Sequence, residues 1–482
     1  MTDTTITLGD ATVEIDPMIY GQYLEHVEDC VDPGLIGDDG LHLEVIEAAR
    51  DLQVPVVRWP GGCFADLYDW RDGIGPVADR PVRRNWHWGG DEVERNRFGT
   101  HEFLSWCEQV GAEPYINVNL GTGTLVEALR WLDHCNGTAT TADVEERRRL
   151  GREEPWQVRY WGIGNETWGH WEAGRMSASR YADVLDNWAD FFKRNDPSAR
   201  IIGVGSSGAD DREWDETVLE RAGTHIDLLS LHLYGSQVID EQDRLAVVHN
   251  PAFIEKRIGD LATRVRDHNA RRGTHVAITM DEWNIRHYRR HGDQVRLDRS
   301  DPRTGVDALF AAGVFHAMIR QADVVRMANY VFLVNGNGVL RSKDGTVTTT
   351  ALAPVFRLYR ELLIGQRIDL SIDTAVVPTP AMTTGHPDHP VDPGELPDTL
   401  PIVDAVAARQ DGRTHVAVIN RSDQPVSTTI SDPSVTWRRT ALLTVDDHDR
   451  LDVDETDQPW QQLLPAWSIT FLTTTPDPRT QH

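Results

Sequence analysis

Two hydrophobic periods alternate along the first three quarters of the chain. Short runs of β-branched and aromatic residues predict strands, and after each run the apolar positions recur with the spacing of an amphipathic helix. The eight predicted strands are Ile19–Leu24, Val54–Trp59, Tyr115–Leu120, Val158–Ile163, Ile201–Val204, Ile226–Leu231, Val276–Met280 and Val325–Val331.

A helical segment follows every predicted strand. The eight segments read LHLEVIEAAR, HEFLSWCEQV, LVEALRWLDHC, SASRYADVLDNWADFFKRN, WDETVLERAG, FIEKRIGDLATRVRDHN, VDALFAAGVFHAMIRQA and ALAPVFRLYRELL. Eight strand–helix units predict a (β/α)8 TIM barrel, an α/β fold in which parallel strands are surrounded by helices. A doubly wound open sheet is the alternative for the same alternation.

The helical period ends after Gly365. A Pro- and Asp-rich stretch from Pro378 to Pro401 predicts an irregular loop, and Asp411-Gly412 between two alternating segments predicts a hairpin. We therefore expect an appended C-terminal β-sandwich, completed by the N-terminal segment TTITLGDATVEI. The expected division is a catalytic barrel over residues 18–365 and a β-sandwich over residues 366–482 together with 1–17.

Composition and charge argue against several classes of binding partner and cellular location. The formal net charge of -28 argues against nucleic acid and anionic membrane, because both would be repelled. The N-terminus lacks a basic, apolar leader, and no apolar run approaches the ~18–20 residues that span a bilayer. The four cysteines are scarce and irregularly spaced, which favours reduced thiols over a disulfide framework or a zinc knuckle. We expect a soluble cytoplasmic protein.

The basic residues are strongly biased towards arginine. Lysine occurs only at Lys193, Lys256 and Lys343, whereas Asp and Glu together number 76. Dense surface carboxylates that remain soluble when their charge is screened are typical of proteins from salt-loving organisms, which favours a halophilic protein. A GC-rich genome that replaces Lys by Arg is the alternative explanation.

Polar residues stand directly after the predicted strands, where a TIM barrel carries its active site. The fifth strand is followed by GSSG, which has no titratable residue. The residues after strands one, two, three, four, six and seven are, in that order, Glu25 and His26, Arg58 and PGGC with Cys63, Asn119, Asn165 and Glu166, His232 and Tyr234, and Asp281 to Asn284.

Glu166 and Glu282 follow strands four and seven, which face each other across the barrel mouth. Two facing carboxylates can divide glycosidic bond cleavage into protonation of the leaving oxygen and attack at the anomeric carbon. The alternative is that either one caps a helix or pairs with an arginine. Nearby tryptophans suit the faces of sugars and would raise the pKa of a carboxyl group by desolvation. They are Trp59, Trp70, Trp86, Trp88, Trp168, Trp171 and Trp283.

Two further patterns do not support a site. Gly203, Gly205 and Gly208 spell G-x-G-x-x-G, but acidic ADDREWDE follows and would repel a pyrophosphate. His287 and His291 are four residues apart without the intervening Glu of a zinc protease, so a solvated face is the expected setting.

The predicted barrel and its strand-end residues resemble those of glycoside hydrolase family 51, the α-L-arabinofuranosidases. The matching segments are IYGQYLEH, VVRWPGGCFADLYDWRDGIGP, NRFGTHEFLSWCEQVGAEPY, NLGTGT, EEPWQVRYWGIGNETWG, SLHLY and ITMDEWN. The resemblance implies a retaining hydrolase with Glu166 as the general acid/base and Glu282 as the nucleophile. It implies no metal and no organic cofactor, and a homo-oligomer, usually a hexamer.

The resemblance also implies a furanose subsite, with Arg58 holding the nucleophile ionised and Asn165 bonding a sugar hydroxyl. Its expected lining is Glu25, Arg58, Asn119, Asn165, His232 and Tyr234, to which we add Cys63 and Trp88 as substrate-binding candidates. Two positions depart from the family pattern: Cys63 stands where many members have Asn, and Phe332 where the pattern has a substrate-facing Gln.

The leading hypothesis is an exo-acting α-L-arabinofuranosidase acting on arabino-oligosaccharides or arabinoxylan fragments. Because Phe332 changes the pocket wall, a related barrel hydrolase acting on β-glucan or xylan chains is the alternative within the enzyme class. A non-catalytic carbohydrate-binding barrel and a metal-dependent hydrolase on the same fold are the alternatives from other classes.

Overall fold

The structure, a computed structural model, describes residues 3–88, 91–207, 212–241, 243–343, 345–431 and 435–474. Within these residues eight parallel strands pair in chain order, and the last pairs with the first. The closed ring confirms the (β/α)8 barrel over the open sheet. The barrel strands, first to eighth, are Gly21–Tyr23, Val56–Trp59, Glu113–Val118, Tyr160–Ile163, Arg200–Gly203, Leu228–Val238, Ala277–His291 and Val325–Tyr330.

The predicted helices are all present. They are Leu43–Asp51, Thr100–Val110, Leu125–Asn136, Ala178–Asn195, Arg212–Ala222, Pro251–Arg272, Gly305–Arg320 and Leu352–Leu362. Two helices escaped the sequence pattern, Ala142–Arg149 and Arg244–His249. The first reads ADVEERRR, which has too few apolar residues to show a helical period. No described helix combines the length and the apolar character needed to cross a bilayer.

The C-terminal strands form one curled, mainly antiparallel sheet of ten strands. The N-terminal strand Asp3–Ile15 joins it between Gly365–Asp373 and Val426–Ile430, as the pattern predicted. Trp437 and Leu464, from strands towards opposite ends of the sheet, belong to one apolar core. The remaining strands are Val403–Gln410, Arg413–Asn420, Trp437–Val445, Leu451–Asp454, Gln458–Pro459, Leu463–Leu464 and Ser468–Thr474.

The hairpin at Asp411-Gly412 is confirmed. Both residues have positive φ, 49° and 74°, between the paired Gln410 and Arg413, which fits the twist of a two-residue turn. The proposed boundary at residues 365/366 stays a prediction, as does the extension of the C-terminal unit to residues 475–482, which lie outside the described residues.

The barrel and the C-terminal sheet pack against each other through the helix Gly305–Arg320. Every residue from Gly305 to Ile319 is buried, because this helix is covered by the barrel on one side and by the sheet on the other. His316 Nδ1 lies 3.0 Å from Asp404 Oδ2, and Arg320 and Arg421 also bond this carboxylate. The interface therefore combines an apolar helix with a buried, neutralised charge.

The irregular loop predicted from Pro378 to Pro401 is shorter in the structure, because Val376–Pro378 pairs with Thr399–Pro401 and leaves residues 379–398 between the two strands. Its tip reaches the barrel mouth, where Gly385 N donates to the Tyr234 carbonyl at 2.8 Å and Thr384 Oγ1 donates to the same oxygen at 3.0 Å. Tyr288 OH donates to the Gly385 carbonyl at 2.8 Å. The loop therefore braces the strand that carries His232 and Tyr234.

Candidate active site

The two predicted carboxylates meet at the carboxyl-terminal mouth of the barrel. One carboxylate oxygen each from Glu166 and Glu282, and one ring nitrogen of His232, all lie within 4.8 Å of one another. The three side chains belong to residues that are only 5–8% exposed. Barrel geometry explains the meeting, because strand ends distant in sequence share one rim.

Glu282 is held from both of its oxygens. Arg58 Nη1 donates to Oε1 at 2.8 Å, and Tyr234 OH donates to Oε2 at 2.6 Å. Tyr23 OH lies 3.4 Å from Oε1 on the opposite side. A guanidinium and two phenols therefore fix the orientation of this carboxylate and compensate its negative charge.

Arg58 is itself fixed by Asp281, the residue before Glu282. Its Nη1 lies 3.3 Å from the Asp281 carbonyl, and its Nε lies 3.7 Å from Oδ2. Asp281 also accepts hydrogen bonds from Tyr115 OH at 2.7 Å and from Ser230. Burial opposes ionisation of Asp281, but Arg58 and His232 outweigh it and hold the pKa of Asp281 well below its usual range. Asp281 is a permanent counter-ion beneath the site.

His232 connects the carboxylates. Its Nδ1 lies 2.9 Å from Glu166 Oε1 and 3.5 Å from Glu282 Oε2, and its Nε2 lies 3.4 Å from Asp281 Oδ1. Burial disfavours the charged ring, but the three carboxylates outweigh it and raise the pKa of His232 to about 10. At neutral pH His232 is therefore an imidazolium that bridges acidic groups.

Glu166 differs from the expectation drawn from its tryptophan neighbours. Trp171 Nε1 donates to Oε2 at 2.9 Å, and His232 bonds Oε1. Burial raises the pKa of Glu166, as predicted, but the His232 contact and the Trp171 hydrogen bond outweigh burial and leave the pKa below its ordinary value. The expectation of a raised pKa is corrected, chiefly because His232 contacts this carboxylate, with smaller contributions from Arg286 and from the Trp171 N–H.

The double glycine of PGGC allows Glu25 and Glu282 to approach the backbone. Glu25 Oε1 accepts hydrogen bonds from Gly62 N at 3.2 Å and Phe64 N at 3.1 Å, and burial raises the pKa of Glu25 to about 7. A Cβ on Gly62 would lie 2.3 Å from Glu282 Oε1, and one on Gly61, which has φ +139°, would lie 2.4 Å from Glu25 Cγ. Neither position can accommodate a side chain without displacing a site carboxyl.

Asn165 lies between the arginine and a second acidic group. Its Oδ1 accepts from Arg58 Nη2 at 2.8 Å, and its Nδ2 donates to Glu172 Oε1 at 3.2 Å. The same Nδ2 lies 3.9 Å from Cys63 Sγ. The structure therefore brings Asn165 and Cys63 into the cluster that contains the carboxylates.

Trp88 and Phe332 form an apolar wall beside Tyr23 and Tyr234. The guanidinium of Arg299 lies 5.5 Å from the Trp88 ring centroid and 5.8 Å from that of Phe332. Where the family pattern places an amide, this chain therefore presents a phenyl ring covered by a cation.

Asn119 is not brought into the cluster. Its Nδ2 donates to the Tyr68 carbonyl at 3.0 Å, and its Oδ1 accepts from Thr122 N at 2.8 Å and Gly123 N at 3.0 Å. The amide is engaged in shaping its own loop, so these contacts give no support to its placement in the sugar subsite.

Several predicted aromatic candidates are core residues. Trp59, Trp70 and Trp283 are buried within the barrel core, and Trp59 stacks on Phe103 with centroids 4.9 Å apart. Trp168 Nε1 donates to the Gly205 carbonyl at 3.0 Å, whereas Trp86 is exposed. Of the seven, Trp88 and Trp171 make the contacts described for the site.

The structure bears on both the histidine pair and the glycine pattern that did not support a site in the sequence. His287 does not lie on a solvated face, because it is buried with Nε2 3.0 Å from Asp307 Oδ1, whereas His291 is exposed at the strand end. In the glycine pattern, Gly203 and Gly205 belong to the fifth strand and its loop, and Gly208 lies outside the described residues.

Sequence reasoning missed two residues that shape the site, Tyr23 and Glu172, and it named Asp281 among the strand-end residues without giving it a role. Asp281 stands in the DEWN segment, and its position before Glu282 was the available signal. Tyr23 lies inside a barrel strand, where a buried aromatic is ordinary core. Glu172 follows the fourth strand at a distance that only the folded loop reveals.

Two buried carboxylates from the fourth and seventh strands of a TIM barrel define a glycoside hydrolase. Residues 48–247 match a family model described as the α-L-arabinofuranosidase 1 domain, and residues 281–463 match the α-L-arabinofuranosidase C-terminal domain. The chain belongs to the α-L-arabinofuranosidases of glycoside hydrolase family 51, which confirms the resemblance seen in the sequence.

Individual relatives agree. The probable α-L-arabinofuranosidase C of Aspergillus niger is 33% identical, over 95% of this chain and 94% of the relative. An intracellular exo-α-L-arabinofuranosidase of Bacteroides ovatus is 33% identical, over 74% and 72%. The crystal structure of an α-L-arabinofuranosidase from Thermotoga maritima with arabinose superposes with a TM-score of 0.85 at 29% identity, over 98% of this chain and 100% of that one.

Proposed function

We propose that this protein is a retaining exo-acting α-L-arabinofuranosidase, which releases terminal arabinofuranosyl residues from arabino-oligosaccharides or arabinoxylan fragments by double displacement. The observation that carries the proposal is the approach of Glu166 and Glu282 oxygens to within 4.8 Å. Retaining enzymes place their carboxyl groups ~5–5.5 Å apart, whereas inverting enzymes need ~6.5–9.5 Å to admit a water molecule.

Glu282 is the proposed nucleophile. Its oxygen attacks the anomeric carbon, while Arg58 and Tyr234 hold it in one orientation at 2.8 Å and 2.6 Å. In the same step the glycosidic C–O bond breaks, and the leaving oxygen takes a proton from Glu166. Water then attacks the glycosyl ester and gives its proton to Glu166, which restores both carboxyl groups.

The proton for the leaving group belongs to the Glu166–His232 pair. Because the pKa of Glu166 is lowered and that of His232 is raised to about 10, the free enzyme holds this proton on the imidazole. The 2.9 Å contact between Nδ1 and Oε1 is the path by which it reaches the carboxylate. Sugar binding that displaces water from Glu166 favours this transfer, because a desolvated carboxylate is more basic.

The proposed furanose subsite is lined by Glu25, Cys63, Trp88, Asn165 and Tyr234. Glu25, with its pKa raised to about 7 by burial, can donate as well as accept a hydrogen bond to a sugar hydroxyl. Phe332 favours an apolar contact where an amide would bond the ring. This substitution is the observation behind the second candidate, a hydrolase acting on β-glucan or xylan chains.

A panel of nitrophenyl glycosides distinguishes these candidates. We expect turnover of the α-L-arabinofuranoside to exceed that of the β-D-xylopyranoside and β-D-glucopyranoside, and the first product detected by NMR to be the α-anomer of arabinofuranose. Phe332→Gln is the matched variant, expected to change KM for the furanoside more than kcat. Preference for a pyranoside, or the β-anomer appearing first, would contradict the proposal.

The proposed setting is a salt-rich cytoplasm, with the chain assembled as a homo-oligomer, a hexamer by family resemblance. The support is the net charge of -28 with only three lysines, and the intracellular Bacteroides relative.

If carboxylates repel one another at low salt, the urea midpoint of unfolding should rise as KCl is increased, because screening weakens the repulsion. Sucrose at equal osmolality is the control, and a midpoint that falls with KCl would refute the halophilic assignment. Sedimentation in the same buffers reports the oligomer.

A further inference from the structure

A second group of metal-ligating side chains lies beside the proposed furanose subsite. Cys63, His87 and Glu172 each offer one ligand atom, and these three atoms lie within 4.8 Å of one another. The residues come from two loops, with Cys63 and His87 between the second strand and its helix and Glu172 after the fourth strand. The cluster shares no ligand atom with Glu166, His232 and Glu282.

Glu172 is the unusual member. It is 5% exposed, its Oε1 accepts from Asn165 Nδ2 at 3.2 Å, and its Oε2 accepts no hydrogen bond from nitrogen or oxygen. The group that faces it is the Cys63 thiol. A thiol is a weak donor, so this buried carboxylate oxygen is poorly compensated, which is costly. Glu282, by contrast, has an arginine and two phenols as partners.

His87 supplies the imidazole of this cluster. Its ring is half-buried and packs against Trp88 at 4.7 Å between centroids. Imidazole, thiolate and carboxylate are the ligand types of Zn²⁺, whereas Mg²⁺ and Ca²⁺ prefer oxygen alone.

We propose that Cys63, His87 and Glu172 form an inhibitory binding site for a thiophilic divalent cation such as Zn²⁺, with the fourth coordination position open. Tetrahedral zinc with bonds of ~2.0–2.3 Å separates its ligand atoms by roughly 3.3–3.8 Å. The ligand atoms therefore need to close by no more than about 1.5 Å, a movement within the reach of side-chain rotation. Binding forms a Zn–S bond and releases the thiol proton to solvent.

Occupancy would disturb the sugar subsite. Cys63 and Glu172 both contact Asn165, which accepts from Arg58 at 2.8 Å. A cation that draws the thiolate and the carboxylate together withdraws the partner of the Asn165 amide and fills space beside the furanose. This consequence rests on the proposed function, and we expect Zn²⁺ to raise KM for the arabinofuranoside more than it lowers kcat.

Metal binding is measured first, without substrate. Equilibrium dialysis of the chelator-treated full chain against ZnCl2 should give one Zn²⁺ per chain, and Co²⁺ should give a thiolate-to-cobalt charge-transfer band. Cys63→Ser should abolish the band and weaken binding by more than about 100-fold, because a direct ligand is lost. Glu172→Gln provides a second variant should Cys63→Ser fail to fold. His170→Ala, an exposed histidine two residues from Glu172, is the matched control and should bind Zn²⁺ as the unmodified chain does.

The location of the ion is tested with the other cluster. Glu282→Gln should retain Zn²⁺ binding; loss in Glu282→Gln with retention in Cys63→Ser would place the ion on Glu166, His232 and Glu282 and overturn the proposal. Absence of stoichiometric binding would also overturn it. Stoichiometric binding at Cys63 without inhibition would overturn the inhibitory role alone. Because dialysis and the cobalt spectrum require no turnover, a wrong assignment of the substrate would leave these results unchanged.

Discussion

Replacing Glu282 by alanine should lower kcat for a nitrophenyl α-L-arabinofuranoside by about 10⁴-fold or more, because the atom that forms the glycosyl ester is removed. The loss should exceed that of any neighbouring substitution, since Arg58 and Tyr234 only orient this carboxylate and do not themselves form the ester. Steady-state release of nitrophenol measures the effect, and circular dichroism checks the fold.

Two variants make the Glu282 result specific. Glu282→Gln keeps the shape of the side chain but removes the charge and replaces one acceptor oxygen with an NH2 donor, and it should be as inactive as the alanine variant. Glu213→Ala, an exposed glutamate on the helix Arg212–Ala222, should retain full activity. Retention of more than about one part in a hundred of activity by Glu282→Gln would assign the nucleophile elsewhere.

The activity of Glu166→Ala should depend on the leaving group of the substrate and should be restored by azide. Without its acid, the enzyme should lose about 10²–10⁴-fold on a substrate with a poor leaving group, but far less on a dinitrophenyl furanoside, which leaves without protonation. Its glycosyl ester should accumulate, because no base activates water. Azide needs no base, so it should restore turnover and give an arabinofuranosyl azide of the same anomeric configuration as the substrate.

The azide experiment also assigns the two roles. If azide restored Glu282→Ala and produced the opposite anomer, Glu282 would still be the nucleophile, since azide then replaces it in a single displacement. If Glu166→Ala gave that opposite anomer, the roles proposed for the two carboxylates would be exchanged. The configuration of the azide, determined by NMR, therefore decides between the two assignments.

The sequence predicts the barrel well and its long strands poorly. The pattern ended the sixth and seventh strands at Leu231 and Met280, but they continue to Val238 and His291. Beyond Leu231 and Met280 the hydrophobic pattern is interrupted by polar side chains such as His232 and Glu282, which pair directly with each other across the ladder. The hydrophobic pattern missed these strand extensions because polar site residues interrupt the apolar period there.

Electrostatics was the least predictable property of the site. The sequence shows that Glu166 stands among tryptophans, but not that His232 contacts its carboxylate, and this contact outweighs burial and lowers the pKa of Glu166. Asn119 illustrates the same limit, since its amide turned to its own GTG loop. Sequence position places a side chain at the rim, and only the folded loops decide which partner it meets.

The loop 379–398 bears on how this enzyme could be re-engineered. Its tip holds the backbone of Tyr234 through Thr384 and Gly385, and the Tyr234 hydroxyl holds Glu282. This loop of the C-terminal unit is thus linked to the proposed nucleophile through Tyr234 and three hydrogen bonds. A chimaera that carries the C-terminal unit of another family member would have a different loop tip. Its hydrogen bonds to Tyr234 would change, and the orientation of the proposed nucleophile would have to be restored.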